Sequence, residues 1–494
     1  MEKRKTIIID EFDGGVTRDL RVQSTNKFKI SKNFDNYSDR KRLIPLNTLI
    51  STQENKTYNI VKFLSTNSLI YGLGITVDTS IAKIYKKSPT AGDWSADRDV
   101  AGLGARNETV FFEYKDYLYF WEAGARLTRH GDITGSATNA TYQTIAYTDV
   151  AQPVHHPADD IAYFFSDNKV HTLNVASWSL AVLTLPDNLI ITCACAYGDY
   201  LAIGCKPKSG SGSSIVFLWD RDSSLTTISE KIDWGKGDIM VLDVLDGILI
   251  GISNVSTSST FSLKPKVHIK GYAGSLNFLQ ELDLDSTTTG DEDYRVPAGA
   301  WGIVQNSKLY FPIVNFSGTD DDYTGIWVVG RHELGSPFSV TLAYKTTTAA
   351  SNPIQGFNIF EDYVWIAHSD DGSVDRTSGG TSYATASYES QIFTGQDSSK
   401  TKKLLSATVM TEPQPSDGQT LLYYKRDAET TWTLIFTNTT DDDIRHTAIN
   451  IESGGVNLGL FKEVQFKIES KGGTVITGLK FKYEEIDDDL IKND

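Results

Sequence analysis

The side chains that could carry out chemistry are few, and their spacing matches no familiar reaction. His155-His156 is the one adjacent pair among eight histidines. Because successive residues of an extended chain point to opposite faces, these two rings are not expected to bind one metal ion. Three acidic turns offer oxygen ligands for Ca²⁺, although none has the spacing of a twelve-residue calcium loop; they are Asp320-Asp321-Asp322, Asp370-Asp371 and Asp441-Asp442-Asp443. We therefore expect neither a metal ion nor another cofactor.

Catalytic motifs give no support for an enzyme either. The chain has no Gly-x-Ser-x-Gly nucleophile elbow, no His-Glu-x-x-His zinc motif and no phosphate-binding loop. Two segments are close to the Asp-box of sialidase-like propellers, which is a folding motif, but Ser369–Gly372 lacks its tryptophan and Asp427–Trp432 lacks its glycine. Glycoside hydrolysis needs two carboxylates that converge in space, which a linear sequence with 63 acidic residues does not reveal. We expect a protein that is not an enzyme.

Cys193, Cys195 and Cys205 are the only cysteines. Their odd number, and the position of two of them in an apolar strand, favour buried thiols over a disulfide framework or a metal-binding knuckle. Such thiols fit a protein that is assembled in a reducing cytoplasm.

Seven stretches of similar composition organise most of the chain. Each begins at or near Asn, Asp or Gly, residues that accept turn dihedrals, and continues with about five strand-forming residues. The clearest runs from Phe360 to Gly372, where alternation puts Tyr363, Trp365 and Ala367 on one face of a strand. The other six are 67–72, 115–121, 159–165, 198–204, 245–251 and 306–311.

The spacing of these stretches predicts the fold. Their starts are separated by roughly 40 to 60 residues, the period of a four-stranded propeller blade. One blade cannot bury both faces of its sheet, whereas blades packed around an axis can. We predict an all-β chain with a divergent β-propeller of about seven blades. Six or eight blades, or a run of stacked β-sandwiches, are the alternatives, and in a propeller Trp365 is buried.

Composition divides the chain into four parts. An N-terminal arm, the propeller, a C-terminal β-sandwich and an acidic tail are predicted to span residues 1–55, 56–380, 385–486 and 487–494, in that order. The Gly- and Ser-rich run 377–382 is typical of a linker. In the sandwich, Val464, Phe466 and Ile468 are expected to face inward while Gln465 and its polar neighbours face water. The arm either closes or covers the propeller as a strand, or grips a neighbouring subunit.

The bulk properties restrict the partners of the protein. A net charge of −16 argues against a protein that grips nucleic acid or an anionic membrane. No apolar run approaches the length of a transmembrane span, and the basic residues Lys3–Lys5 precede too short an apolar run for a signal peptide. We expect no membrane insertion.

The order of these parts, together with several short motifs, resembles structural proteins of tailed bacteriophages. Near the start, a Gly-Gly turn within Glu11–Val16 is followed by the segment Asn33–Asn36. Near the end, the segments Lys402–Leu404, Tyr423–Trp432 and Phe461–Ile468 resemble the C-terminal sandwich of such proteins. The order of arm, propeller and sandwich is similar to that of the tail nozzle proteins of short-tailed phages.

This resemblance implies a virion tail component that forms a ring, expected to be a hexamer, and extends the DNA conduit. Its partners would be its own copies, other tail and portal-adaptor proteins, and genomic DNA that passes without sequence-specific binding. An acidic surface suits such a conduit because it repels phosphate. The residues expected at the contacts between subunits are Phe12, Gly14, Gly15, Arg18, Asn33 and Asn36. Removing residues 1–36 is then expected to leave a folded monomer that does not assemble.

Two other functions stay open. A tail-tip protein that binds a host-surface glycan would present exposed Trp and Tyr rings, which stack on sugar faces. A propeller glycosidase or depolymerase would need clustered Asp, Glu and Arg side chains at the propeller axis.

Overall fold

The computed structural model describes most of the chain, and its regular secondary structure consists of strands. Across the described residues no helix is assigned, and hence none that is long and apolar enough to cross a membrane. The described ranges are 4–14, 27–51, 59–66, 69–75, 82–88, 94–100, 110–122, 126–132, 139–145, 151–175, 177–209, 212–224, 228–257, 263–282, 284, 293–299, 301–316, 322–346, 354–368, 374–395, 398–449 and 460–486.

The strands of these ranges are numbered in chain order. They are β1 (Arg4–Ile9), β2 (Phe28–Lys32), β3 (Phe34–Asp35), β4 (Ile44–Pro45), β5 (Leu49–Ser51), β6 (Asn59–Thr66), β7 (Leu69–Ile75), β8 (Ala82–Lys87), β9 (Ser95–Val100), β10 (Phe111–Tyr114), β11 (Tyr117–Glu122), β12 (Arg126–Asp132), β13 (Asn139–Thr144), β14 (Val154–His156), β15 (Ile161–Ser166), β16 (Lys169–Asn174), β17 (Ser177–Thr184), β18 (Leu189–Tyr197), β19 (Tyr200–Pro207), β20 (Ser213–Trp219), β21 (Ile228–Lys236), β22 (Asp238–Leu245), β23 (Ile248–Thr257), β24 (Leu263–Tyr272), β25 (Leu276–Leu282), β26 (Tyr294–Arg295), β27 (Ile303–Gln305), β28 (Lys308–Asn315), β29 (Gly325–Gly330), β30 (Ser339–Lys345), β31 (Ile354–Phe360), β32 (Tyr363–His368), β33 (Val374–Thr377), β34 (Ala386–Phe393), β35 (Thr401–Thr411), β36 (Gln419–Arg426), β37 (Thr433–Asn438), β38 (Arg445–Ile449), β39 (Leu460–Phe461), β40 (Val464–Lys471) and β41 (Ile476–Ile486).

The chain folds as two compact units. One, which we call the propeller unit, consists of Ile50–Ile326 and Thr346–Thr377. The other, the terminal unit, consists of Met1–Leu49, Trp327–Lys345 and Ser378–Asp494. The sequence of the propeller unit therefore lies between the two ends of the terminal unit.

The propeller unit is built from antiparallel sheets whose strands follow one another in chain order. Five are complete four-stranded meanders, namely β6–β9, β10–β13, β14–β17, β18–β21 and β22–β25. Two further arrays contain β26, β27 and β28, and β31, β32 and β33 with the N-terminal strand β5 beside β33. Inner strands such as Ile161–Ser166 and Tyr363–His368 are buried along almost their whole length. Both faces of these sheets therefore have to be covered.

Tight turns join the inner strands, as the repeated Asn, Asp and Gly residues predict. Asp116, Asp246, Asn306 and Glu361 have φ angles of 63°, 52°, 51° and 54°. This left-handed conformation gives the short hairpin turns a twist that matches the flanking strands. Asn and Asp enter it more readily than most residues because their short side chains bond to the local backbone. The predicted turn positions are confirmed where the structure describes them, and the first, at Asn67 and Ser68, lies outside the described residues.

The sheets pack face to face in chain order, and the last array packs against the first sheet. The cluster that closes the ring contains Ile60, Phe63 and Trp94 from the first sheet region and Trp365 and Val374 from the last array. Similar clusters join each neighbouring pair of the five complete sheets. Strand β22 contacts β27 and β28, which in turn contact β31. The arrays thus form a closed ring, which is a β-propeller.

Trp365 lies in this closing cluster. Its side chain is fully buried, and its ring lies 5.8 Å from that of Trp94 in an edge-to-face arrangement. The predicted burial of Trp365 is confirmed. A run of stacked sandwiches is excluded for this unit because the first and last arrays are in contact. Six arrays of the ring have four strands, and the seventh contains β26, β27 and β28. The count of about seven blades stays a prediction.

The terminal unit contains two sheets that share one core. The first has the order β1-β41-β35-β38, with β39 also on β35. The second contains β2, β34, β40, β36 and β37 in that order, with β30 beside β2. The rings of Phe466 in β40 and Phe481 in β41 stack between the sheets, with centroids 3.5 Å apart. Two sheets around one core form a β-sandwich.

The sandwich includes strands from the N-terminal segment, which the sequence pattern predicts to be a separate arm. Strand β1 pairs with β41 along its whole length, and β2 pairs with β34. Ile9 and Phe28 are buried in the sandwich core. The described part of residues 1–55 belongs to the terminal unit up to Leu49, because its apolar side chains complete that core. The acidic tail 487–494 lies outside the described residues.

Strand β40 follows the predicted alternation with one exception. Val464, Phe466 and Ile468 are buried as predicted. The prediction that Gln465 faces water is wrong, since 2% of this residue is exposed. Its amide donates a 2.8 Å hydrogen bond to the carbonyl oxygen of Ser390, which satisfies the polar group inside the sandwich.

Candidate functional site

Strands from seven arrays of the propeller unit face a shared cavity on the propeller axis. Its volume is about 400 Å³, within the range of pockets that hold small molecules. One lining residue from each array, in chain order, is Ser65, Phe112, His155, Cys195, Asp243, Ile303 and Asn358. The convergence of so many strands makes this axial cavity the candidate functional site.

Asp243 is the one carboxylate among the described residues that line the axial cavity. Burial raises the pKa of its side chain to about 6, because the ionised form loses its water. The backbone N–H of Val244 donates a 2.8 Å hydrogen bond to Oδ1, which partly offsets that effect. Glycoside hydrolysis uses two carboxyl groups. The described lining therefore lacks the acidic pair that the glycosidase alternative requires.

The three cysteines are free and buried. Cys193 and Cys195 lie in the strand that lines the axial cavity. Burial raises the pKa of Cys193 to about 12 and raises the pKa of Cys195 and Cys205 well above the ordinary thiol value. A thiol acts as a nucleophile or metal ligand in its ionised form, so these side chains serve as apolar packing groups. The prediction of buried thiols is confirmed.

Replacing Asp243 by asparagine is expected to stabilise the protein at neutral pH but not at about pH 4. The folded-state pKa, about 6, lies above the unfolded value of about 3.9. Stability is therefore highest when the carboxyl group is protonated, and it falls as the pH rises between these two values. The expected gain from Asp243→Asn above that window is about 3 kcal/mol.

Thermal unfolding at the two pH values measures this effect. Asp199→Asn, a control on an exposed turn, should change the Tm little at either pH. An equal shift for Asp243→Asn at both pH values would show that ionisation of Asp243 does not affect stability.

The six residues predicted at contacts between subunits have different positions. Phe12, Asn33 and Asn36 make contacts inside the terminal unit, Gly14 is half-buried, and Gly15 and Arg18 lie outside the described residues.

Phe12 and Asn36 hold the N-terminal segment on its own sandwich. The Phe12 ring is fully buried and lies 5.4 Å from the ring of Tyr388, edge to face. The amide of Asn36 donates a 3.2 Å hydrogen bond to the carbonyl oxygen of Phe12, and its oxygen accepts one of 2.9 Å from the Ser31 hydroxyl. Asn33 has a left-handed φ of 59° and bonds to the backbone of two other segments of the unit. A role of these residues between subunits stays a prediction.

The described residues of the histidine pair and of the acidic turns form no shared site. The His155 ring lies 2.8 Å from the Asp160 carboxylate, whereas buried His156 lies 3.1 Å from the carbonyl oxygen of Tyr200. The Asp443 carboxylate accepts hydrogen bonds from its own turn region. The other two acidic turns lie wholly or partly outside the described residues. Within the described part of the chain, no group of three or more His, Cys, Asp or Glu side chains is placed to hold a metal ion.

Sequence reasoning does not single out two charged residues of the propeller unit, the half-buried Asp243 and the buried Lys62. Asp243 lies in the apolar strand Asp238–Leu245, and Lys62 lies in the apolar strand Asn59–Thr66. Lys62 is 2% exposed. A charged residue between apolar neighbours in a strand is the signal that could have identified both residues, since such charges are rarely buried without a reason.

Comparison with known proteins gives distant likenesses only. No protein-family model and no curated protein matches the chain. The Cps50 (Swd1) β-propeller domain of Myceliophteria thermophila is 10% identical, with a TM-score of 0.43, over 67% of this chain and 100% of that domain. YCF48 bound to D1 peptide is 11% identical, with a TM-score of 0.44, over 68% of this chain and 97% of that one.

A third solved structure is the extracellular domain of a putative hybrid two-component system, BT4673, from B. thetaiotaomicron. It is 10% identical, with a TM-score of 0.41, over 78% of this chain and 44% of that one. None of these likenesses bears on function. The assignment of a propeller rests on the strand order and on the ring of cores between sheets in this chain.

Proposed function

We propose that the chain is a structural component of a bacteriophage virion tail. In this role it is a nozzle or tail-channel ring protein that extends the DNA conduit and helps to retain and then release the genome. The observation that carries the proposal is the attachment of the N-terminal segment to the C-terminal sandwich, with the propeller between them in sequence. That order agrees with the resemblance to tail nozzle proteins. The protein is then not an enzyme and is assembled in the host cytoplasm.

The DNA path in this proposal runs between subunits and not through the propeller. The axial cavity has a volume of about 400 Å³. A DNA duplex, whose major groove alone is about 12 Å wide, does not fit into such a space. A ring of subunits with a net charge of −16 each would leave a wider central opening and would repel the phosphates of the DNA.

The terminal unit offers two different edges for a contact between subunits. Strands β1 and β38 lie at opposite edges of one sheet. They expose apolar side chains, with Ile8 42% and Ile449 69% exposed. Ring formation requires two different surfaces on each subunit, and the backbone groups of an exposed edge strand readily pair with another chain. We infer that these edges contribute to the ring contact.

The mass of the purified protein in solution, measured by light scattering, tests the proposal. We expect a ring of about six subunits, or a monomer that assembles after its virion neighbours are added. Ile449→Asp should reduce the assembled fraction at unchanged Tm, because substitutions of exposed residues change stability by about 0.5 kcal/mol or less. Leu334→Asp, at a residue that is 80% exposed in the same unit, is the matched control. A stable monomer in every mixture would contradict the proposal.

The second candidate is a tail-tip protein that binds a host glycan, and one observation favours it. Phe316 is 44% exposed and borders a pocket of the propeller unit. The guanidinium carbon of Arg295 lies 4.5 Å from the centre of its ring. An exposed aromatic ring beside a cation is a surface on which a sugar can stack. A stable monomer or trimer that binds host polysaccharide would favour this function.

A further inference from the structure

Lys62 is a buried cation without a carboxylate partner among the described residues. Its Nζ donates a 2.8 Å hydrogen bond to the carbonyl oxygen of Gly299 and lies 4.2 Å from the ring centre of Trp301. Burial lowers the pKa of the ammonium group to about 7, because the charged form loses its water. A lysine is almost never buried in this way unless it is paired. Lys62 is therefore a candidate for pairing with a bound anion.

Lys62 lines a pocket that also contains other charged side chains. The pocket has a volume of about 260 Å³ and includes Lys206, Asp238 and Arg295. Lys206 lies 3.6 Å from Asp238, and Arg295 lies 2.6 Å from Asp293. Asp238 and the adjoining Asp293 thus offset two of the three cations, and among the described residues Lys62 is the cation left without a carboxylate, in a chain whose net charge is −16. This local excess of positive charge attracts a small anion and would repel a small cation.

The same pocket contains a hydrogen-bond acceptor that has no partner. The side-chain oxygen Oε1 of Gln355 is buried and accepts no hydrogen bond within the described part of the structure. Buried polar atoms are nearly always satisfied. A hydroxyl group of a ligand that donates a hydrogen bond to this oxygen would satisfy it. Phe316 and Ile354 supply apolar surface in the same lining, against which the C–H groups of a sugar can pack.

We propose that this pocket binds a small sugar acid, with the carboxylate of the ligand on Lys62 and Arg295 and a hydroxyl group on Gln355. The carboxylate of the ligand pairs with the buried ammonium group of Lys62. Hydrogen bonds between charged groups are stronger than those between neutral groups. The volume of about 260 Å³ lies just below the range of pockets for drug-sized ligands, so it restricts the ligand to a single monosaccharide unit. The pocket is formed by strands and connections from five arrays of the propeller, so it exists only in the closed ring. The inference goes beyond the structural role proposed above and does not depend on it.

Titration calorimetry with the full chain tests this binding. Glucuronate is the probe. Glucose, a sugar without the carboxylate, and inorganic phosphate, an anion without sugar hydroxyl groups, are the two controls. We expect glucuronate to bind at least about tenfold more tightly than either, because a hydrogen bond to a charged group contributes more than a neutral one. Equal binding of glucose would overturn the role of the carboxylate. Binding of phosphate alone, or no binding of any probe, would overturn the assignment to a sugar acid.

Substitutions in the pocket separate binding from folding. Lys62→Met keeps the side-chain length and removes the charge, so glucuronate affinity should fall about tenfold or more. Lys231→Met, at an exposed residue of β21, should leave the affinity unchanged. If Lys62→Met fails to fold, Gln355→Glu provides the second test, since a carboxylate beside the bound anion should also weaken binding. Unchanged affinity in a folded variant of either kind would overturn the proposal.

The pH dependence gives a further readout. Lys206, Asp238 and Arg295 are the charged groups that line the pocket with Lys62. Because an anion favours the ammonium form, binding above the folded-state pKa of about 7 should take up one proton. Glucuronate affinity should then fall by about tenfold per pH unit above that value. An affinity for glucuronate that is constant up to about pH 9 would contradict the contact with Lys62.

Discussion

Replacing Trp365 by aspartate is expected to unfold the propeller unit at room temperature. The Trp365 side chain is fully buried in the cluster between the first sheet and the last array. Loss of a buried tryptophan costs about 3–5 kcal/mol, and an unpaired buried carboxylate costs several more. The sum is comparable to the whole stability of a typical domain, about 5–15 kcal/mol. The substitution also lies at the interface between the first sheet and the last array, where the ring closes.

Circular dichroism and a melting curve measure this effect. Phe278→Asp changes an aromatic residue of the same unit that is 55% exposed, so its Tm should differ little from that of the parent. A soluble Trp365→Asp protein with a native melting curve would contradict the closed ring described for this unit.

Deleting residues 1–36 is expected to unfold the terminal unit. The deletion removes β1 and β2, and with them the buried side chains of Ile9, Phe12 and Phe28. It also removes the strand neighbour of β41 and exposes one face of Tyr388, on which Phe12 and Phe28 pack. This outcome differs from the sequence-based expectation of a folded monomer, because these residues form part of the sandwich core.

Two single substitutions test whether the N-terminal segment belongs to the core without removing whole strands. Phe12→Ala should cost about 3–5 kcal/mol, whereas Ile8→Ala, at a residue of the same segment that is 42% exposed, should cost about 0.5 kcal/mol or less. Chemical denaturation monitored in the terminal unit gives both values. A deletion variant that keeps native melting would restore the idea of a free arm.

Much of the fold is visible in the sequence because it depends on local signals. The turns at Asp116 and Asn306 need a left-handed backbone, and the sequence provides residues that accept it. The β-branched and aromatic residues that follow, including Trp365, form the buried inner strands. The period of these units then implies a ring, since a single sheet with two apolar faces cannot stand alone.

The rest depends on contacts between residues far apart in sequence. The burial of Phe12 looks the same in sequence whether the ring packs on Tyr388 or on a neighbouring subunit, so the pattern does not distinguish the two. The same holds for Asp243 and Lys62, whose surroundings are formed only when several arrays converge on the axis. Gln465 shows a related limit, because a polar residue in an alternating strand can be buried when a backbone oxygen accepts its hydrogen bond.

The pairing of β1 with β41 has a consequence for synthesis. Lys5 and Glu485 form a 2.6 Å ion pair across 480 positions of sequence. At a translation rate of about 5–20 residues per second, roughly half a minute or more passes between the synthesis of β1 and that of β41. The propeller, whose sequence lies between them, can fold on the ribosome during that time. A chain whose β41 has not yet been translated therefore lacks the strand that pairs with both β1 and β35, and its sandwich is unfinished.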